Sequence, residues 1–92
     1  MNNLSLEVTS RAKSDIEIII EYIAKDNKNA ANKMLNRFYK SFDTLCQHPH
    51  LGTKRPDFTY RDARFYIIKK HYLIVYRLIG KTLRILRVLP AY

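Results

Sequence analysis

Two apolar segments near the end of the sequence, Tyr72–Leu78 and Thr82–Leu89, set the strongest limit on the fold. They are joined by Ile79, Gly80 and Lys81, and a short turn that contains glycine predicts a β-hairpin. Amphipathic strands usually carry apolar side chains on one face only. In this hairpin, bulky apolar groups stand on both faces with arginines among them, so both sides of the sheet need cover.

Alternation along the two strands assigns each side chain to a face. In the first strand, one face carries Tyr72, Ile74, Tyr76 and Leu78, and the other carries Leu73, Val75, Arg77 and Ile79. In the second strand, one face carries Leu83, Ile85, Arg87 and Leu89, and the other carries Thr82, Arg84, Leu86 and Val88.

Two amphipathic helices precede the hairpin. We predict the first from about residue 11 to 25, capped by Thr9 or Ser10, and the second from about residue 30 to 47. Their apolar stripes are Ala12, Ile16, Ile19, Ile20 and Ile23, and then Ala31, Met34, Leu35, Phe38, Phe42 and Leu45. The polar connection over residues 26–29 contains an asparagine placed to cap the second helix, which predicts an antiparallel helical hairpin.

The remaining segments complete an α+β domain that spans residues 1–92. Alternating Leu4, Leu6 and Val8 predict a short strand with one buried face, and Arg64–Ile68 predicts another strand. Residues 48–62 are predicted to form a basic, polar loop. The expected fold is an N-terminal strand, a two-helix antiparallel hairpin, and a three-stranded, mainly antiparallel sheet.

An uncovered apolar surface follows from this arrangement. The helices cover one side of the sheet, which leaves four or five large apolar side chains on the other, and Ile18 and Tyr22 lie off the main helical stripe. Burying each such group stabilises by about 1.5–3 kcal/mol, so a protein partner is expected to cover them. The alternative is that sheet curvature and the long loop hide them. The predicted partner-binding residues are Ile18, Tyr22, Leu73, Val75, Arg77, Arg84, Leu86 and Arg87.

The charge distribution points to an acidic partner. Lysine and arginine number 17 against 8 acidic residues, which gives +9, and residues 51–92 contribute +8 of this from 10 basic and 2 acidic side chains. Nucleic acid, an acidic protein segment or a membrane surface would each fit such a basic half. A merely solvated basic surface is the alternative.

Few residues suggest catalysis. The three histidines lack further ligands at metal-binding spacing, so we expect no metal and no cofactor. A basic set would suit metal-free RNA cleavage, in which cations stabilise the phosphorane and a His, Lys or Tyr moves a proton. Its members are Arg64, His71, Arg77, Arg87 and Tyr92. The same residues would equally bind phosphates or an acidic partner.

The single cysteine, Cys46, lies at the end of an apolar helical stripe and is expected to be a buried structural thiol. The N-terminus lacks the pattern of a signal peptide, and the apolar runs are too short to span a bilayer. Together with the low cysteine content, these features predict a soluble cytoplasmic protein.

Three motifs in order resemble the ParE branch of the RelE/ParE toxin superfamily of bacterial type II toxin–antitoxin systems. The first is Thr9–Ile23, with Ala12 and Asp15–Ile16 at the family's Ala and Asp-Leu positions. The second is Leu45–Pro56, which resembles the Pro-x-Leu-Gly signature, and the third is Arg64–Leu89, which resembles the Tyr-Arg…Ile-Leu-Arg-Val-Leu ending.

The resemblance implies a toxin that poisons DNA gyrase without being an enzyme. It also implies a ParD-like antitoxin, a ribbon-helix-helix protein whose acidic, amphipathic C-terminal segment wraps the toxin, in a toxin–antitoxin hetero-oligomer. Under this hypothesis the basic residues that contact the target are Lys54, Arg55, Arg61, Lys69 and Lys70.

Two alternatives remain at this stage. The RelE branch cleaves messenger RNA on the ribosome without a metal, and a non-toxic, degenerate member is the second alternative. The chain ends at Pro90–Ala91–Tyr92, where the family commonly continues with a polar turn and a further tail. Activity that needs this tail is not expected here.

Overall fold

The computed structural model describes residues 4–55 and 62–91. Within these ranges the elements are β1 (Ser5–Val8), α1 (Ser10–Asp26), α2 (Lys28–Gln47), β2 (Thr53–Lys54), β3 (Arg64–Ile68), β4 (Tyr72–Ile79) and β5 (Thr82–Pro90). The predicted α+β class and the order of the helices and main strands are confirmed. Arg61 and Tyr92, which were predicted as site residues, lie outside the described ranges.

The strands form one five-stranded sheet with the order β1-β5-β4-β3-β2, so the prediction of a three-stranded sheet is wrong in its count. β1 pairs with β5 in parallel, and the other neighbours are antiparallel. β2 lies in the segment that was predicted as a loop. With only two residues, Thr53 and Lys54, it is too short to show an alternating pattern.

Side-chain caps fix the two helices to each other and to the sheet. The Oγ1 of Thr9 accepts a hydrogen bond from the N–H of Ala12 at 3.2 Å and donates to the carbonyl of Ile85 at 2.8 Å. Asn27 Oδ1 accepts from the N–H of Ala30 at 3.0 Å. Because Asn27 alone separates α1 from α2, the helices form the predicted hairpin.

The core lies between the helical hairpin and one face of the sheet. The predicted helical stripes supply Ala12, Ile16 and Ile19 from α1 and Phe38, Phe42 and Leu45 from α2. Ile74, Tyr76, Leu83, Ile85 and Val88 meet them from β4 and β5. Leu4 and Val8 pack against this core, whereas Leu6 is 41% exposed, so the predicted buried face of the first strand is only partly correct.

A β-bulge in β5 changes which side of the sheet its side chains lie on. Val75 pairs with Arg87 and Tyr76 pairs with Ile85, so Leu86 is an extra residue without a partner in β4. As a result Ile85 and Val88, three positions apart, both reach the core. Strict alternation had placed Ile85 with Arg87 and was wrong for the second half of this strand.

The outer face of the sheet is less open than predicted. Val75 is only 2% exposed, and Leu73, Ile79 and Leu86 are half-buried. Val75 is flanked in register by Phe65 on β3 and Arg87 on β5, and directly opposed side chains on antiparallel strands lie close enough to shield one another. Among the described large apolar residues of this face, Ile67 remains exposed, at 58%.

Candidate functional site

An open apolar groove lies between α1 and the end of the sheet. α1 contributes Ile18, Ile19 and Tyr22 to one wall, and Ile18 and Tyr22 are 65% and 76% exposed. The groove has a volume of about 500 Å³. Its other wall consists of His71, Tyr72, Pro90 and Ala91. We call this the helix groove. It contains two of the predicted partner-binding residues, Ile18 and Tyr22.

A second groove lies on the outer side of the sheet. It measures about 360 Å³ and is lined by Thr53, Arg55, Phe65, Ile67, Leu73, Pro90 and Ala91. We call it the sheet groove. Pro90 and Ala91 line both grooves, so the two surfaces meet around the end of β5. A single extended segment can therefore contact the apolar groups of both.

The predicted partner-binding arginines already have carboxylate partners within the chain. Arg84 Nε lies 3.0 Å from Glu7 Oε1, and Arg77 Nη2 lies 3.7 Å from Asp62 Oδ2. Arg77 and Arg84 face each other directly in the β4–β5 register, where like charges repel. The two carboxylates offset this repulsion, so these arginines have a structural role beside any contact with a partner.

Arg87 forms the most enclosed of these ion pairs. Its Nε and Nη2 donate to Asp15 Oδ2 and Oδ1 at 2.7 and 3.0 Å, and the backbone N–H of Val88 donates to Oδ2 at 3.0 Å. Burial alone would raise the pKa of Asp15, but these hydrogen bonds and the charges of Arg87 and Arg11 together hold that pKa below its ordinary value of 3.8. Asp15 therefore stays ionised and joins α1 to β5.

Tyr76, which alternation along the strand placed on the same face as Ile74, organises the turn before β2. The hydroxyl of buried Tyr76 donates to the carbonyl of Pro49 at 2.7 Å and accepts from the N–H of Gly52 at 2.8 Å. Arg64 Nη1 donates to the carbonyl of Gly52 at 2.7 Å. A Cβ on Gly52 would lie 2.5 Å from the tyrosine oxygen, so glycine is required for this approach. The turn presents Leu51, which is half exposed.

The predicted target-binding residues within the described ranges lie in two separate places. Lys54 is in β2 and Arg55 follows it, and Lys54 pairs with Arg64 at the start of β3. Lys69 and Lys70 are exposed in the turn after the other end of β3, beyond a strand roughly 13 Å long at about 3.3 Å per residue. Both turn lysines have positive φ angles, 51° and 63°. Residues other than Gly, Asn and Asp rarely adopt this backbone conformation.

Four members of the alternative nuclease set are among the described residues, namely Arg64, His71, Arg77 and Arg87. Arg64 opens β3 and His71 lies in the turn beyond its far end, so at least the strand length, roughly 13 Å at about 3.3 Å per residue, separates them. Arg64 and Arg87 are nearer to each other, because they pair with adjacent residues of β4, Tyr76 and Val75. Arg87 is held by Asp15 on the side of α1. Within the described residues, no group of three or more His, Cys, Asp or Glu is placed to hold a metal ion.

Cys46 is buried, and burial, followed by the nearby charge of Asp43, raises the pKa of its thiol. This agrees with the predicted structural role, because a thiol with a raised pKa is a poor nucleophile.

Neither α1 nor α2 combines the length and the apolar character that crossing a membrane requires, in the part of the chain described here.

Comparisons with known proteins identify the family and the fold. A family model described as the ParE toxin of type II toxin–antitoxin system, parDE, matches residues 6–91. A solved structure described as the chromosomal ParDE TA system from P. aeruginosa matches with a TM-score of 0.81 at 22% identity, covering 100% of both chains. The solution structure of the conserved hypothetical protein HP0894 from Helicobacter pylori matches with a TM-score of 0.51 at 17% identity, covering 95% of this chain and 93% of that one. No curated protein sequence matches the chain.

Proposed function

Because the chain belongs to the ParE toxin family of type II toxin–antitoxin systems, we propose that it inhibits DNA gyrase and is neutralised by a cognate antitoxin. The family match over residues 6–91 is the observation that carries this proposal, since it spans both helices and, apart from Ser5, the five described strands. The toxin acts by binding and not by catalysis. The separation of His71 from Arg64 by the length of β3 supports this view, because proton transfer and phosphorane stabilisation need groups that converge on one atom.

The antitoxin occupies the helix groove and continues into the sheet groove. The partner is ParD-like, with a ribbon-helix-helix domain and an acidic, amphipathic C-terminal segment. Two observations support this: the apolar walls meet at Pro90 and Ala91, and the chain carries a net charge of +9 that attracts acidic side chains. Ile18 and Tyr22 are the anchors that burial would stabilise most, because they are the most exposed large apolar groups of the groove.

The target contacts lie on the turn at Lys69 and Lys70. Adjacent left-handed residues that are not glycine store backbone strain, which is found where a surface must be held for binding. Both ammonium groups are exposed and are available to an acidic surface of the target.

Controlled expression in a bacterial host tests the proposed function. After induction of the chain alone, we expect growth to stop with an early loss of thymidine incorporation, while incorporation of labelled methionine continues. An early stop of methionine incorporation, with transcripts cut to ends bearing 2′,3′-cyclic or 3′-phosphate, would instead support the RelE-like nuclease. Normal growth with accumulating folded protein would support the non-toxic alternative.

The same expression experiment also tests whether the antitoxin binds in the helix groove. Co-expression of the cognate antitoxin should restore growth for the wild-type chain and fail to do so for the double variant Ile18→Asp, Tyr22→Ser. Tyr39→Ser is the matched control, because Tyr39 is also an exposed aromatic residue but lies on α2 outside the grooves described above. Full rescue of the double variant, provided that it is still toxic, would contradict the assignment.

A further inference from the structure

The exposed side of α2 carries a row of cations that the grooves leave unused. Lys33, Arg37 and Lys40 are all exposed and follow at steps of four and three residues. At 3.6 residues per turn they fall within an arc of about 60°, in a row about 10 Å long at about 1.5 Å per residue. We call this row the α2 stripe.

The surroundings of the α2 stripe lack compensating acid. Residues 27–42 contain four basic and no acidic side chains. Among the described residues, Lys33, Arg37 and Lys40 have no ion pair within 4.0 Å, unlike Arg77, Arg84 and Arg87. The first carboxylate of α2 is Asp43, which accepts a hydrogen bond from Gln47 at 3.2 Å. A cationic row without internal partners is free to meet an external anion.

We propose that the α2 stripe binds the phosphate backbone of duplex DNA. Duplex DNA carries one negative charge per about 1.7 Å of its axis, so a row of about 10 Å faces about six phosphate charges and three cations find partners at once. Asn29 and Asn36 are exposed beside the stripe, and amide side chains also donate hydrogen bonds to phosphate oxygens. The contact does not depend on the base sequence of the DNA, and it does not require gyrase to be the target.

A membrane surface fits the α2 stripe less well. A helix that lies in a membrane interface must bury an apolar face among the lipids. The apolar face of α2 is already occupied, because Phe38, Phe42 and Leu45 are fully buried against α1 and the sheet. The stripe therefore offers charge and amide groups without an apolar anchor, which is the composition of a phosphate contact.

Fluorescence anisotropy with a labelled random-sequence duplex of about 30 base pairs tests the proposal, with the purified full chain titrated over a series of salt concentrations. The triple variant Lys33→Gln, Arg37→Gln, Lys40→Gln should lower the slope of log K against log salt by about 2.7, because each lost phosphate contact removes about 0.9. The charge-matched control is Lys13→Gln, Lys25→Gln, Lys81→Gln, which removes three exposed cations from other elements. Its slope should change by less than about 1.

Two results would overturn the proposal. Equal loss of slope in both triple variants would mean that only the net charge of the chain matters. Tighter binding of a polyglutamate peptide than of the duplex, with the same loss in the stripe variant, would assign the stripe to an acidic protein. Inhibition of gyrase is measured separately, so failure of the DNA contact leaves the proposed function intact and the reverse also holds.

Discussion

Tyr76 shows how one side chain joins the core to the surface. Its ring belongs to the core beneath the helices, and its hydroxyl holds the turn at Pro49 and Gly52. Burial raises the pKa of this hydroxyl, although the Gly52 hydrogen bond and the charge of Arg64 oppose the shift. The neutral phenol is therefore the form that the folded chain requires at physiological pH.

Replacing Tyr76 with Phe should lower the free energy of unfolding by about 1–3 kcal/mol, because the carbonyl of Pro49 and the N–H of Gly52 lose their partner. Urea denaturation at pH 7 measures this. Tyr66→Phe is the control, since Tyr66 also packs against the core but its hydroxyl has no hydrogen bond within the described chain. Equal effects of the two substitutions would show that the turn is held by other contacts.

Sequence patterns predict part of this residue-scale picture. Alternation in β4 places Tyr76 with Ile74 on one face, and the structure confirms that both are buried in the core. The hydrogen bonds to Pro49 and Gly52 were not predicted, because they join positions 27 and 24 residues apart and leave no periodic signal. The pairing of Gly52 with a bulky aromatic ring likewise depends on tertiary contact.

At the scale of elements, Asp15 provides a hydrogen-bond acceptor for β5 that a neighbouring strand would otherwise supply. β1 ends where Val8 pairs with Ile85, so beyond that point the edge of β5 opposite β4 has no neighbouring strand among the described residues. The carboxylate of Asp15 accepts the backbone N–H of Val88 at this edge and also binds Arg87. α1 is thus fixed across the sheet by a side chain as well as by apolar packing.

Asp15→Asn should lower the free energy of unfolding at pH 7 by about 1–3 kcal/mol, because charged hydrogen bonds are lost in a half-buried position. The pKa of Asp15 is lowered in the folded state, so its contribution is present above the ordinary value of 3.8 and disappears as the pH falls through the folded-state pKa. The variant should therefore lose less stability than the wild type on acidification below pH 3.8.

Denaturation of Glu7→Gln provides the comparison. Glu7 pairs with Arg84 on the exposed edge of the sheet, where an ion pair contributes about 0–1 kcal/mol. If both substitutions had the same effect at pH 7 and at low pH, the ion pair of Asp15 would be an ordinary surface pair and the account of α1 docking would be wrong.

The element-scale predictions succeeded where a local pattern exists. Both helices follow from their apolar periods and their caps at Thr9 and Asn27. The parallel partner of β1, the two-residue strand β2 and the bulge at Leu86 were not predicted. Each of these depends on register between segments that are distant in sequence, and an extra residue in a strand leaves the local composition unchanged.

At the scale of the whole molecule, the α2 stripe and the two apolar grooves occupy different places. The helix groove and the sheet groove meet at the end of β5, whereas the α2 stripe lies on the exposed side of a helix whose apolar face is in the core. The sequence singled out Ile18 and Tyr22, which are exposed in the helix groove, because they fall off the helical stripe. It could not identify the opposite wall at Pro90 and Ala91, which only the tertiary fold brings near α1.

The α2 stripe was also not apparent when the net charge was calculated for each half of the sequence. The first half of the sequence is nearly neutral because the acidic residues of β1 and α1, which include Asp15, Glu17 and Glu21, balance the cations of α2 in the sum. In the folded chain those carboxylates do not pair with the α2 stripe, within the described residues. Local charge on one element is therefore more informative than the charge of a half.

The most direct measurement for the proposed toxin is the reaction of purified gyrase with relaxed plasmid and ATP in the presence of increasing amounts of the chain. We expect supercoiling to decline and linear plasmid, released by protease from covalent gyrase complexes, to accumulate, while a cell-free translation reaction with the same amount of chain continues. Undiminished supercoiling at an amount of chain that stops translation would contradict this expectation.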